Sequence, residues 1–145
     1  MADPAQTYKN HARTYWLYHY VALPILLVNV LNSVRHLINY VHRSTIWEVV
    51  FSLGLFALAW SARVMALTVQ DRVIRLEMQM RLARLLPPDQ QTRIAQLRRG
   101  HFVALRFASD DELPELVREI TEGRLSTPRE IKMRVKNWQP DWLRA

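Results

Sequence analysis

Asn29, Asn32, His36 and Asn39 recur at steps of three, four and three, which on a helix lines four polar side chains along one stripe. They sit in an apolar stretch, and Glu48 and Ser52 lie at comparable depth in the next one. Such a stripe has two chemical meanings. It can relay a proton or hold an ion or ligand, because polar groups at membrane depth are expensive and often functional. It can also hold helices together, each hydrogen bond contributing ~0.6–2 kcal/mol. One histidine near an interface, with no second titratable group deep in the apolar stretch, makes a short relay at best, so helix joining is the favoured reading. His19 and His36 could instead ligate a tetrapyrrole. They lie roughly 25 Å apart on one helix, too far for a single haem, and the second stretch has no histidine, so one chain cannot clamp a haem through two histidines. Pairing of His19 with its counterpart in a second copy, or ligation through one axial histidine, stays open.

Elsewhere the residue types argue against catalysis. The chain has no cysteine, which excludes disulfides, iron–sulfur clusters and thiolate zinc sites. There is no glycine-rich phosphate loop, no nucleophile with a base at sensible spacing, and no cluster with metal-ligand spacing. Asp110, Asp111, Glu112 and Glu115 read as acids favoured at a helix N-terminus rather than as a divalent-metal site. The expectation is a non-enzymatic protein without a cofactor.

The elements that must carry the stripe are two apolar stretches, Trp16 to Val34 and Ile46 to Thr68. No ionised side chain falls in the 21 residues between Arg13 and Arg35, enough for one crossing of a ~30 Å hydrocarbon core by a helix. Glu48 and Arg63 lie near the ends of the second stretch, where their head groups can reach an interface. A soluble hairpin of two buried helices is the competing explanation, but helices apolar on all faces need lipid or a large protein around them. A signal peptide fits poorly, since Pro24 and the asparagines interrupt the run and no small-residue cleavage site follows.

Orientation follows from cations. Lys9 and Arg13 precede the first span and Arg72, Arg75, Arg81 and Arg84 crowd the exit of the second, whereas the connection offers Arg35, Arg43 and two histidines. Both termini are therefore expected in the cytoplasm. Tyr15, Trp16, Tyr18, Tyr20 and Trp60 mark the inner interface, and Tyr40 with Trp47 the outer one. The net charge of +7 divides into about +3 before Val69 and +4 after it, where the tail carries 15 basic and 11 acidic side chains, a mixed surface rather than a nucleic-acid footprint, and proximity to anionic lipid accounts for the excess.

Thr45 to Glu48 has the pattern of a capping box opening the second helix, and the first helix is expected to run to about His42. After Arg63 nothing breaks the second helix before Pro87, so it should continue as a stalk, roughly 60 Å in all from Ile46 to Leu86. On it Val69, Val73, Leu76, Met80 and Ala83 alternate at steps of four and three, the seam of a helix that packs on a partner. Ile74, Met78 and Leu82 broaden that apolar face, a surplus to be covered by the chain's own tail or by another subunit. Gly54, Ala57 and Ser61 form a small-residue stripe that lets another helix approach.

The tail reads as three or four short helices. Asp89 can cap one ending near Arg99 and Gly100. Ser109, Asp110 or Asp111 can cap another, with Pro114 in its first turn and Gly123 closing it. Thr127-Pro128-Arg129-Glu130 is the strongest start signal in the chain, and Ile131, Val135 and Trp138 would line one face of the helix that follows. His101 to Ala108 fits a short buried helix or a strand, and helix is preferred because a lone strand would have no partner. Trp138 and Trp142 are expected as core or interface anchors.

Tyr8-Lys9-Asn10-His11-Ala12-Arg13, Ala104 to Pro114, Glu130-Ile131-Lys132 and Trp138-Gln139-Pro140-Asp141 together resemble a family of small bacterial two-helix membrane proteins of unknown function. The resemblance implies a bacterial membrane protein and carries over no functional residues.

The sequence thus predicts an all-α chain. It comprises a cytoplasmic segment 1–14, a transmembrane hairpin 15–68 with spans near 15–36 and 46–68, a stalk helix 69–86 and a small helical cytoplasmic domain 87–145. Its expected place is the bacterial inner membrane. Its expected partners are lipid and other membrane subunits or a second copy, met through Asn29, Asn32, His36, the small-residue stripe, the stalk seam, Trp138 and Trp142. The alternative is an ion-handling or tetrapyrrole protein.

Overall fold

The computed structural model describes residues 7, 8 and 14–141. Every regular element among them is helical. A π-helical turn, Leu17–Ala22, runs directly into α1 (Leu23–Asn39); after a short connection come α2 (Arg43–Leu85), a 3₁₀ helix (Gln91–Gln96), α3 (Arg99–Leu105), α4 (Leu113–Thr121) and α5 (Pro128–Arg134). The residues group into two compact units, one of 14–68 and one of 69 onward, with α2 contributing to both.

In the first unit, Leu17–Asn39 and Arg43–Leu85 are long and apolar enough to cross a membrane, and only 6% of each apolar window is buried. Core helices of a water-soluble protein would be mostly covered, so these faces require a cover that the unit itself does not provide. The π-turn precedes Pro24, the second residue of α1. Proline has no amide proton, and its ring crowds the carbonyl four residues back. The wider turn, closed by the Leu23 N–H donating to the Tyr18 carbonyl, absorbs that misfit without a break in the helix.

The connection corrects two expectations. α1 ends at Asn39 rather than His42, where Tyr40 turns extended, and α2 already begins at Arg43. Thr45 is therefore inside the first turn of α2. Its hydroxyl accepts from the His42 N–H at 3.0 Å and lies 2.7 Å from the Tyr40 carbonyl, which it donates to. Glu48 takes no part in a capping box and pairs elsewhere.

The second unit owes its core to one side of α2. Ile74, Met78, Leu82 and Leu86 are buried against Phe102, Leu105, Leu113, Val117 and Ile131. At ~1.5–3 kcal/mol for each large apolar side chain, this burial is the main force holding the short helices in place. None of these helices is long enough to persist alone in water. Gly100 allows α3 to lie against α5: a Cβ there would fall 2.9 Å from the Pro128 ring.

Local signals decide the tail's boundaries unevenly. Thr127 and Glu130 form a reciprocal capping box at α5, as its sequence predicts. His101 to Ala108 is helical in its first part, and Gly123 closes α4 with φ +79°. Asp89, however, precedes only a 3₁₀ helix that stops at Gln96. Arg99 and Gly100 open α3 instead of ending a helix. α4 is preceded by Glu112 with no side-chain cap from Ser109, Asp110 or Asp111. Glu112 accepts instead from the Lys136 and Asn137 amides, so it holds the chain that leaves α5. α5 itself ends at Arg134; Val135 is extended, and Trp138 reaches the core from the segment that follows.

Candidate interaction site

Three groups of residues carry the polar and interaction chemistry. The first is in the hairpin unit, where two residues of the polar stripe of α1, Asn29 and His36, meet α2 and Asn32 is exposed. The Ser52 hydroxyl donates to Asn29 Oδ1 at 2.6 Å. His36 Nδ1 and Glu48 Oε2 are 2.8 Å apart and share a hydrogen bond, with the His36 ring edge-on to Tyr40. Asn39 turns back to the Arg35 carbonyl. Ser33, between these pairs, is buried and bonded to the Val30 carbonyl. Asn29 and His36 thus join the two helices of one hairpin. Sequence reasoning missed the His36–Glu48 pair because a capping role already explained Glu48.

His19 lies in the π-turn, where its Nδ1 donates to the Tyr15 carbonyl at 2.9 Å. Tyr18 beside it donates its hydroxyl to the Ala59 carbonyl, and Arg63 lies over its ring at 5.7 Å. Both histidines therefore commit Nδ1 within the hairpin. Among the described residues no group of three or more His, Cys, Asp or Glu could hold a metal. Gly54, Ala57 and Ser61 face outward, and a Cβ on Gly54 would meet nothing within 4 Å. Trp47, Val50, Phe51, Leu55 and Leu58 line an apolar groove beside Gly54.

The second group is the free side of α2 in the second unit. Val69, Val73, Leu76 and Met80 are 47–61% exposed, whereas Ile74, Met78 and Leu82 are buried by the tail. Counting 100° per residue, the two stripes are separated by about 180° around the helix. The apolar surplus is covered and the seam is left open.

The third group ties the C-terminal segment down. Arg81 donates through Nε to Asp110 Oδ1 at 2.7 Å, and through Nη2 to the Ala108 carbonyl at 2.8 Å and to Gln139 Oε1 at 3.0 Å. Arg106 Nε pairs with Asp141 at 2.9 Å. Trp138 packs on Phe107 at 4.8 Å between ring centroids, and the Gln139 N–H donates to the Phe107 carbonyl. Arg106 to Asp110 and Trp138 to Asp141, far apart in sequence, are thus one clasp. Arg81 is its centre, and nothing in the sequence around it signals that role. Trp138 serves this clasp as a core anchor. Trp142, Lys9 and Arg13 lie outside the described residues.

Beside the clasp, the Arg134 guanidinium grips the buried Glu119 carboxylate with two bonds, at 3.0 and 3.2 Å. These bonds hold the Glu119 pKa below the usual carboxylate value despite burial, and raise that of Arg134. A cleft of about 100 Å³ adjoins the pair, lined by Glu112, Glu115, Leu116 and Lys136 as well. It is too small for a metabolite.

Over residues 1–145 the chain matches a family described as a family of unknown function, DUF6526. No curated protein matches it, and no solved structure matches it.

Proposed function

We infer the function of this chain, which belongs to the DUF6526 family of unknown function, from its own surfaces: it is a non-enzymatic membrane protein that serves as an accessory or structural subunit of a larger bacterial membrane complex. In this reading α1 and the first half of α2 cross the inner membrane with both termini in the cytoplasm, as the cation bias favours. Lipid covers the exposed apolar faces of the hairpin, and the second unit meets protein rather than nucleic acid.

The observation that carries the reading is the open seam. Four large apolar side chains, Val69, Val73, Leu76 and Met80, stand 47–61% exposed just past the apolar stretch, on the side of α2 that the tail leaves bare. A contiguous apolar row on a segment bearing Arg72, Glu77 and Arg84 is unsuited to lipid and costly in water, which supports a protein partner.

Purification from native membranes without overexpression tests this. The chain should travel with stoichiometric protein, and Leu76→Ser with Met80→Ser should keep it in the membrane fraction while that association is lost. A chain that arrives alone, as a monomer, refutes the reading.

One observation favours a second reading. The hydrogen-bonded His36–Glu48 pair spans the two helices of the hairpin at the end of the polar stripe, a placement suited to handling a proton or ion. A variant with Glu48→Gln that inserts and assembles normally but loses a proton-dependent phenotype would select this alternative.

A further inference from the structure

We propose that the open seam of α2 pairs with the same seam of a second copy of this chain, as a short parallel, in-register two-stranded coiled coil. The proposal rests on the reading of this face as an interface and names its occupant.

Four observations converge on a second copy. First, Val69, Val73, Leu76, Met80 and Ala83 occupy alternate d and a positions of two heptads without a break, and α2 is helical throughout. Second, the side chains at the centre are those that favour two strands in a parallel arrangement: β-branched Val73 at a, followed by Leu76 at d. Third, the flanks are complementary to themselves. Arg72 is at g and Glu77 at the following e, the two positions that meet across a parallel dimer, so symmetry makes this ion pair twice. The other g and e pair, Gln79 with Arg84, brings no like charges together. Fourth, the tail packs on the opposite side of α2, about 180° away, so the helical domain of either copy does not occupy the seam.

Attachment fixes the direction. The seam begins one residue after the apolar stretch ends, and two copies inserted in one bilayer with the same orientation carry their seams away from the same surface. They can meet only in parallel, the arrangement the Arg72 and Glu77 pairing needs. A partner protein would need its own seam in this register to do as well, whereas a second copy supplies it by symmetry.

The test uses the full chain in native membranes, and the absence of cysteine makes it direct. Single variants Val73→Cys and Leu76→Cys, oxidised with copper phenanthroline, should form a disulfide-linked dimer. The exposed off-seam Arg75→Cys should form at least about tenfold less, because bridging requires Cα atoms within ~7 Å. In the Leu76→Cys background, Arg72→Glu alone should reduce the cross-linked fraction, and adding Glu77→Arg should restore it. Equal cross-linking at residues 73, 75 and 76 would mean random collision and overturn the proposal. So would failure of the double reversal to restore what the single one removes. Absence of cross-linking at 73 and 76, while a different protein co-purifies in a manner lost on Leu76→Ser with Met80→Ser, would overturn the second copy but leave the interface reading standing. Absence of both would remove the two together.

Discussion

Arg81→Ala is expected to release the C-terminal clasp, and the geometry indicates where the energy lies. The Arg81 side chain is largely covered, yet its four oxygen acceptors differ in what they lose. Asp110 is half exposed, so its ion pair contributes no more than ~1 kcal/mol. Gln139 is exposed and regains a partner from water, and the bond to the Arg106 carbonyl is long at 3.4 Å. The Ala108 carbonyl belongs to a fully buried residue, and losing its donor costs about 1–3 kcal/mol. The sum is about 2–3 kcal/mol, which for a unit of this size lowers the midpoint by roughly 8–24 °C. The assay is protection of residues 69–141 from thermolysin in the full chain, held in detergent micelles and heated, with fragments read by mass spectrometry. Arg81→Lys keeps the charge but not the planar fork and should recover little. Asp110→Asn should cost less than about 1 kcal/mol. The reasoning is refuted if Arg81→Ala leaves the protection midpoint in place. It is also refuted if Asp110→Asn costs as much, since the energy would then reside in the exposed ion pair.

Further outcomes follow from other residues. With the proposed orientation, single cysteines at Asn39 and Ser126 probed in intact cells with an impermeant thiol reagent should label at residue 39 only. The Glu119 carboxyl is held below its ordinary value of 4.5 in the folded chain, chiefly by the Arg134 bonds, so it contributes stability above that value and loses it as pH falls through the folded pKa. The protection midpoint should therefore drop on acidification below about pH 4.5, and Glu119→Gln should flatten that part of the profile. Asn29→Leu removes the acceptor of Ser52 and should weaken the hairpin by ~0.6–2 kcal/mol in a denaturant titration in micelles, with Asn32→Leu costing less. Gly100→Ala should lower the stability of the second unit by about 1 kcal/mol, the clash with Pro128 outweighing the gain in helix propensity.

Signals confined to a few neighbouring residues were legible in the sequence. The apolar stretches, the uninterrupted run from Arg63 to Leu85 and the Thr127–Glu130 box each act within one or two turns, and the chain adopts what they specify. Features set by distant partners were not. Glu48 satisfies the pattern of a capping box, but α2 starts three residues earlier than that pattern implies, and His36, twelve residues away, takes the carboxylate instead. Asp89 has the right type for a helix cap, yet the segment after it is drawn into a 3₁₀ helix before Leu97 enters the core. The apolar residues of α2 form two opposite stripes, with Ile74, Met78 and Leu82 facing away from the seam they were expected to broaden. Which one the tail would cover depends on how Phe102, Leu113 and Ile131 come together, and that is a matter of tertiary packing. Arg81 escaped notice for the same reason: its oxygen acceptors lie 25 to 58 residues further along.

The π-turn at Leu17–Ala22 bears on how this protein tolerates changes in length. A turn of this kind amounts to an α-helix carrying one residue too many, so a single-codon deletion there can be absorbed by tightening to regular geometry. Closing i→i+4 bonds in place of the wider i→i+5 bond would keep the residues on the N-terminal side near their present angle about the helix relative to α1. Deleting Val21 would therefore keep Tyr18 on the side of the Ala59 carbonyl and Arg63, and leave Asn29, His36 and their partners in phase. A deletion between residues 29 and 36 has no such reserve and would put the polar pairs out of step with each other. Homologous chains that differ in length should therefore carry their gaps at this turn rather than further along the helix.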